Sequence, residues 1–406
     1  MEKFGLLGKT LKHSFSPQIH KLFNDYQYDL IEIDADGLEG FVKSGEYKGI
    51  NVTIPYKKDI IKYLDQIDEC AKIIGAVNTV VNKNGALYGY NTDWLGMEYA
   101  LKSAGIDLSN KKVLILGSGG TSNTANFVAN RLGARDVLIV SRNGRLNYQN
   151  CYQQADAEII INTTPVGMFP NNYASPLNIN KFEKLEGVFD AVYNPDMTYL
   201  TFSAKQKGIK YANGLTMLVA QAKMASELFT DKKIEDALIE KAVKTIKKEK
   251  LNIVLIGMAG CGKSTIAKEL SEKLNKPLID TDQLIEQKEN RKISDIFAND
   301  GEEYFRKVEI KVLKEVGKEN GKIIATGGGV VEREENQFSL KQNAVVFNLI
   351  RDLDKLDRKN RPLSTDINAV KKLFEKRKDK YIEFSDYTID NNGDIKQTIE
   401  KIMEKL

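Results

Sequence analysis

What the 406-residue chain lacks narrows its chemistry first. It holds two histidines, His13 and His20, both near the start, so acid–base work elsewhere must fall to Lys, Asp, Glu or Tyr. Its three cysteines, Cys70, Cys151 and Cys261, form no CxxC pair. That argues against a disulfide framework and a structural zinc site, and it suits a reducing cytosol. No apolar run approaches membrane-spanning length, and the opening MEKFGLLGKT lacks the apolar core of a signal peptide. A cytoplasmic protein with no membrane partner is expected. An excess of one charge is missing too: 60 basic against 56 acidic side chains leave +4, which makes no case for nucleic acid and does not repel small anions. Internal repeats and low-complexity segments are absent. What remains is ordinary globular composition, 42% apolar and 29% charged, at a length that suggests two or three domains.

The chain is organised around IVLIGMAGCGKST, residues 253–265. An apolar strand, Ile253 to Ile256, runs into Gly257-x-x-x-x-Gly262-Lys263-Ser264, and good helix formers follow from Ile266. This is a phosphate-cradling P-loop in its strand–loop–helix setting. Backbone N–H groups at Gly260, Cys261, Gly262, Ser264 and Thr265 would turn toward an anion, helped by the helix N-terminus. Lys263 would sit against the β- and γ-phosphates of ATP, and the Ser264 hydroxyl would reach Mg²⁺. A P-loop opens its own domain, so the 250 residues before it must be something else.

They begin with a strand at Phe4–Gly8 and a polar loop, HSFSPQIH, at 13–20. Ser16-Pro17 reads as a helix start with Ser16 at the N-cap, which leaves Ser14 unexplained. A short strand, GINVTIP (49–55), is followed by Tyr56 and Lys57. The segments GAVNT (75–79) and GYNTD (89–93) read as turns, each closing a β-rich run. From Lys111 a βαβ unit appears: a strand into Gly117-Ser118-Gly119-Gly120-Thr121, a helix over 123–131, and a strand at 136–140. Ser122 at the third fingerprint position is small enough for close helix–strand packing. The second strand ends in Ser141-Arg142 where an NAD site wants a carboxylate; a guanidinium pairs with a 2′-phosphate, so NADP is expected over NAD. A solvated loop arginine is the plainer alternative. The short gap before the strand at 158–161 leaves room for a brief second helix at most. A strand at 187–192 follows, then a long helical stretch from Gly214 to about Lys248. The lysine-rich KTIKKEK (244–250) is the one linker-like segment.

HSFSP, NVTIPYK, GAVNT, YNTD, GSGG, TTPVGM (163–168), YNP (193–195) and GLTMLVAQA (214–222) together resemble the shikimate dehydrogenases, in order and spacing over residues 1–245. The resemblance implies an N-terminal αβ substrate domain facing an NADP-binding Rossmann domain. It makes Ser14 and Ser16 binders of the substrate carboxylate, and sets Thr53, Asn78, Tyr193 and Gln221 around the ring hydroxyls. Lys57 and Asp93 become the catalytic pair, with Asp93 also touching substrate. Gly214 would join Gly117–Thr121, Ser141 and Arg142 at the cofactor. The chemistry agrees: a ketone that accepts hydride becomes an alkoxide needing a proton, which a lysine held by a carboxylate can supply.

Behind the P-loop, PLIDTD (277–282), ISDIFANDGEEYFRKVE (293–309), IIATGGGVV (323–331), Arg361-Pro362-Leu363 and Arg377-x-x-x-Tyr381 resemble shikimate kinase over 251 to about 390. On the residues alone, Asp282 reads equally as a helix N-cap. Arg306 and Glu309 are helix neighbours able to pair, and the three glycines mark a close approach. The resemblance implies a P-loop, nucleoside-monophosphate-kinase-like α/β domain. In it Ser264 and, through water, Asp280 hold Mg²⁺, and Asp282 binds the accepting hydroxyl and is placed to deprotonate it. Arg306, Arg377 and Gly328 hold the substrate, while Arg361 from a lid stabilises the phosphoryl group. Arg351 and Arg358 compete with Arg361 for that last role.

The expected architecture is therefore α/β throughout: 1–98 with 215–245 as substrate domain, 99–214 as Rossmann domain, 246–250 as linker, and 251–406 as kinase domain. The expected function is bifunctional, in aromatic-precursor biosynthesis: NADPH-dependent reduction of 3-dehydroshikimate, then ATP- and Mg²⁺-dependent 3-phosphorylation of shikimate. Quinate or another small polyol acid as substrate, or one half acting only as a ligand-binding module, stays open.

Overall fold

Alternating strand and helix signals resolve into three separate sheets. The computed structural model describes residues 3–11, 14–357 and 367–406. It divides into two units, 1–193 with 198–245, and 194–197 with 246–406.

The first unit carries two sheets. One has the spatial order Tyr28–Glu32, Phe4–Gly8, Gly49–Val52, Thr79–Lys83, Ala86–Tyr90, Gln66–Ile67. Its Thr79–Lys83 strand runs antiparallel to both neighbours. GAVNT therefore opens a strand rather than closing one, and only GYNTD ends a run. The other sheet is wholly parallel, in the order Lys210–Asn213, Gly187–Asp190, Ile159–Asn162, Lys112–Leu116, Asp136–Val140. Its Lys112–Leu116 strand alternates between two cores: Val113 and Ile115 pack with Ala125 and Val128, while Leu114 and Leu116 pack with Val140, Ile160 and Leu200. Both faces are covered, which is why the sequence shows an unbroken apolar run. The second Rossmann crossover is one 3₁₀ turn, Cys151–Gln154, as the short gap required.

Two helix expectations change. The helix after the glycine loop starts at Gly120 rather than Asn123. The stretch from Gly214 is two helices, Gly214–Thr230 and Ala237–Lys250, because Asp231 takes a left-handed conformation that ends the first. Residues 246–250 form the last turn of the second helix, so the lysine-rich linker segment is a helix end.

The second unit is built on one parallel sheet, Leu278–Asp280, Ile323–Ala325, Asn252–Ile256, Ala344–Ile350, Tyr387–Asp390. The P-loop strand lies in the centre, its apolar residues 253–256 2% exposed or less, so the loop at its C-terminal end is anchored on a rigid element. Among the described residues, no helix is long and apolar enough to cross a membrane.

Candidate active sites

Strand pairing brings the separated N-terminal motifs together. Asn51 lies opposite Thr79, and Thr79 opposite Tyr90, so NVTIPYK, GAVNT and YNTD meet at one place. There Lys57 Nζ is 2.6 Å from Asp93 Oδ2, the two side chains 25% and 14% exposed. The Thr92 backbone N–H donates to Asn78 Oδ1 at 2.7 Å, which turns the Asn78 amide nitrogen toward Asp93 Oδ1 (2.9 Å) and Gln221 Oε1 (3.3 Å). Gln221 gets this close because Gly96, on helix Asp93–Ser103, faces helix Gly214–Thr230 directly. A Cβ on Gly96 would sit 2.5 Å from the Met217 carbonyl and 3.0 Å from Gln221 Cβ.

Ser14 and Ser16 are joined through their hydroxyls at 3.1 Å. Helix Ser16–Phe23 has Phe15 as its N-cap and no side-chain cap, so the capping role read for Ser16 is not taken. Phe15 packs against Tyr193, ring centroids 5.7 Å apart, which brings the Tyr193 ring next to the serine loop. Burial pushes the Tyr193 hydroxyl up from the ordinary tyrosine range. Thr53 is half-buried and its hydroxyl makes no hydrogen bond to any described residue.

The glycine loop of the parallel sheet leads into helix Gly120–Arg131, whose N-cap Gly119 provides no side chain for its first N–H groups. Space beside Gly119 and Gly120 is open, and Ser118 is exposed with Thr121 half-buried beside them. Ser122 does more than pack closely: its hydroxyl donates to the Gly117 carbonyl at 2.8 Å and ties the loop to the helix. The Gly117 N–H donates to Val140 O at 2.8 Å, which sets the loop beside Ser141 and Arg142. Arg142 is exposed and forms no ion pair with a described residue. Gly214, the first residue of its helix, is buried, and its N–H donates to Val192 O at 3.1 Å.

In the second unit one cavity of about 1100 Å³ runs from the P-loop to Arg377. Gly260 and Gly262 take positive φ values of 84° and 99°. Lys263, 7% exposed, reaches back across its own loop to the carbonyls of Gly257 (2.9 Å) and Met258 (3.0 Å). The buried Cys261 offers its carbonyl to Asn391 Nδ2 at 2.6 Å, bracing the loop from outside. Ser264 Oγ lies 3.0 Å from Asp280 Oδ2, while Asp280 Oδ1 accepts from the N–H groups of Asp282 and Gln283. Asp280 is thus the helix N-cap, and the N-cap reading of Asp282 is overturned. This leaves Asp282 to line the cavity.

Two buried arginines share that cavity, each 4% exposed at the side chain. Arg306 is held by Glu309 at 2.9 Å and by Glu302 at 2.9 Å. Burial opposes its charge, but these carboxylates outweigh it and raise its pKa. Burial in turn raises the Glu309 carboxyl, against the pull of Arg306. Arg377 donates to Glu332 at 2.6 Å and to the Gly328 carbonyl at 3.3 Å. The Tyr381 hydroxyl donates to that same carbonyl. Burial favours a neutral Glu332, yet hydrogen bonds from Lys376 and Arg377 prevail and hold it at about 2. Pairing fixes both guanidinium groups in place in the cavity lining, where a planar fork of N–H donors suits a carboxylate.

With these arrangements in view, comparison with known proteins is informative. A family model described as shikimate dehydrogenase substrate binding domain matches residues 6–80, and one described as shikimate kinase matches residues 259–406. Shikimate dehydrogenase (NADP(+)) from Caldicellulosiruptor bescii is 39% identical over 263 residues, 57% of this chain and 90% of that protein. The chain belongs to the shikimate dehydrogenase family. A solved shikimate 5-dehydrogenase from Thermus thermophilus, in complex with NADP(H) and shikimate, is similar at 31% identity and a TM-score of 0.56. The match covers 60% of this chain and 99% of that one. A chorismate mutase/shikimate 5-dehydrogenase fusion protein from Clostridium acetobutylicum, also 31% identical, scores 0.59 over 61% of this chain and 98% of that one. Shikimate dehydrogenase and a shikimate kinase domain are therefore joined in one bifunctional enzyme of the shikimate pathway.

In the dehydrogenase unit the helix N-terminus without a side-chain cap and Arg142, exposed and without an ion pair among the described residues, fit a dinucleotide carrying a 2′-phosphate. In the kinase unit the positive-φ loop and Lys263 fit a nucleotide's phosphates, and Ser264 with Asp280 fits Mg²⁺. Among the described residues no group of three or more His, Cys, Asp or Glu is poised for a metal, so phosphate and water oxygens would complete such a shell. Arg358 and Arg361 lie outside the described residues, and Arg351 lines the cavity, its Nε buried without a hydrogen-bond partner among the described residues. Sequence reasoning missed Gly96, Thr92, Glu302 and Glu332. The last two had a weak signal, since a buried arginine needs a carboxylate.

Proposed function

We propose that the dehydrogenase unit reduces 3-dehydroshikimate to shikimate with NADPH, and that the kinase unit phosphorylates the 3-hydroxyl of shikimate with ATP and Mg²⁺. In the first unit Ser14 and Ser16 take the substrate carboxylate, and Thr53, Tyr193, Gln221 and Asn78 surround the ring. Gly117–Thr121, Ser141 and Gly214 would hold the pyrophosphate of NADPH and Arg142 its 2′-phosphate, and the bound cofactor would supply hydride for the ketone carbon. Lys57 stabilises the developing alkoxide and gives it a proton from Nζ, while Asp93 holds the ammonium in place. In the second unit Asp282 accepts the proton of the attacking hydroxyl, and Arg306, Arg377 and Gly328 hold the acid. Lys263 neutralises phosphate charge, and one of Arg351, Arg358 and Arg361 stabilises the transferring phosphoryl group. Mg²⁺ held by Ser264 and Asp280 would offset charge on the phosphates.

The observation supporting this most directly is that each unit pairs a proton-handling group with fixed partners: Lys57 2.6 Å from Asp93, and Asp282 in one cavity with the P-loop and two buried arginines. Lys57→Ala should abolish NADPH-dependent reduction and leave kinase turnover intact, and Lys263→Ala should do the reverse. Loss of both activities from either folded variant would overturn the assignment. Turnover compared across shikimate, quinate and other small polyol acids tests the substrate.

A further inference from the structure

Three motif residues beside the dyad, Asn51, Thr79 and Thr92, carry no role in the reading above, yet they are 5%, 0% and 1% exposed. Their hydrogen bonds converge on Asn78. Asn51 Nδ2 faces the Asn78 backbone carbonyl at 3.3 Å, an acceptor only, so Asn51 Oδ1 must accept, and the Tyr28 hydroxyl donates to it at 2.8 Å. Asn51 Nδ2 also donates to Thr79 Oγ1 at 3.0 Å. The Thr79 hydroxyl donates to Asn78 Oδ1, again at 3.0 Å, the nearer of its two acceptors, the other being Thr92 Oγ1 at 3.3 Å. Asn78 Oδ1 already accepts the Thr92 N–H, so its amide nitrogen is turned toward Asp93 Oδ1 at 2.9 Å, with Thr92 Oγ1 at 3.0 Å and Gln221 Oε1 at 3.3 Å beside it. One donor path therefore runs Tyr28, Asn51, Thr79, Asn78, with side branches to Thr92 and Gln221, and its last acceptor is the carboxylate that grips Lys57. In a water-poor interior such bonds polarise one another, so the far end bears on the near end.

We propose that Thr79 is a positioning residue for the reduction. Its hydroxyl, fed by Tyr28 and Asn51, fixes the Asn78 amide and through it the Asp93–Lys57 pair that delivers the proton. Thr79 touches neither substrate nor cofactor and acts only on the chemical step. This rests on the dehydrogenase reading.

Thr79→Val keeps shape and removes the relay. It should lower kcat for 3-dehydroshikimate reduction by about fivefold to thirtyfold, the worth of one or two buried neutral hydrogen bonds. KM should stay within about twofold, since uniform binding is untouched. The deuterium isotope effect from deuterated NADPH should rise as chemistry becomes limiting, and Thr79→Ser should restore the rate. A merely structural role would change the active fraction, read by NADPH-binding stoichiometry, and leave the isotope effect where it was. If Thr79→Val does not fold, Tyr28→Phe decides by kcat and isotope effect, KM being set aside because Tyr28 also bonds Ser16: removing the first donor should lower kcat by about twofold to fivefold, with the same rise in isotope effect. Wild-type kcat and isotope effect in the folded variant overturn the proposal. An unaltered chain that reduces no dehydroshikimate overturns instead the reading beneath it.

Discussion

Alanine at each of the three consecutive glycines 327, 328 and 329 should break the kinase in three different ways. A Cβ on Gly329 would fall 2.2 Å from Arg306 Nη2 and 2.5 Å from Nη1. The guanidinium is pinned by Glu302 and Glu309, so it must leave its post by about 1 Å to regain ordinary contact. Charge-assisted hydrogen bonds to a substrate carboxylate are worth about 1.5–3 kcal/mol, so KM for shikimate should rise by about 10- to 150-fold, with KM for ATP unchanged. A Cβ on Gly328 would meet the Ala259 backbone nitrogen at 2.7 Å, and backbone yields less readily than a side chain. That displaces the P-loop together with a substrate contact, and should raise KM for both ATP and shikimate. A Cβ on Gly327 would meet Asp282 Oδ1 at 2.6 Å, and a misplaced base should cut kcat by about 10²-fold. Steady-state ADP release, with shikimate and ATP varied separately and dehydrogenase turnover as the measure of intact protein, reads all three. Identical defects in the three variants, or a raised ATP KM with normal shikimate KM in Gly329→Ala, would refute the reasoning.

Acid stability offers two further checks. Glu332 sits at about 2 against an ordinary 4.5, so the unfolded chain binds the extra proton first. Its contribution, about 2–3 kcal/mol, is complete above pH 4.5 and drains away toward pH 2; acid unfolding of Glu332→Gln should lack that slope in the kinase unit, and an unchanged slope speaks against it. His20, buried and held neutral with its pKa at about 3 against 6.5, should cost the dehydrogenase unit stability as pH falls from 6.5 to 3, by at most about 4–5 kcal/mol. His20→Gln should flatten that fall. Lys276 spends its ammonium on the carbonyls of Lys248 (3.0 Å), Glu249 (3.1 Å) and Leu251 (2.9 Å) at the end of helix Ala237–Lys250. Lys276→Met should therefore cost about 1–2 kcal/mol, seen as a lower melting temperature with both KM values for the kinase kept.

Strands and loops whose pattern is local were legible in the residues. The P-loop strand, the parallel Rossmann strands and the truncated second crossover follow from apolar runs, glycine spacing and a short gap. The Lys57–Asp93 pair was reached through resemblance, because 36 residues of sequence separate two side chains that only the Asn51–Thr79–Tyr90 strand register unites. Caps were misread at Ser16 and Asp282 for one reason: several residues in each loop could cap, and the choice depends on which backbone N–H groups the fold presents. The break at Asp231 escaped because no glycine or proline marks it. Gly96 carried no local signal at all, since its reason lies on another helix, at Met217.

The central claim, that one polypeptide makes shikimate and then phosphorylates it, is tested most directly by supplying the purified chain with 3-dehydroshikimate, NADPH, ATP and Mg²⁺ and following NADPH loss and ADP formation together. ADP should appear only as NADPH is consumed, reach an equal amount at completion, and fail to form when NADPH is withheld. ADP formed from 3-dehydroshikimate without NADPH, or NADPH consumed with no ADP even after shikimate is added, would contradict it.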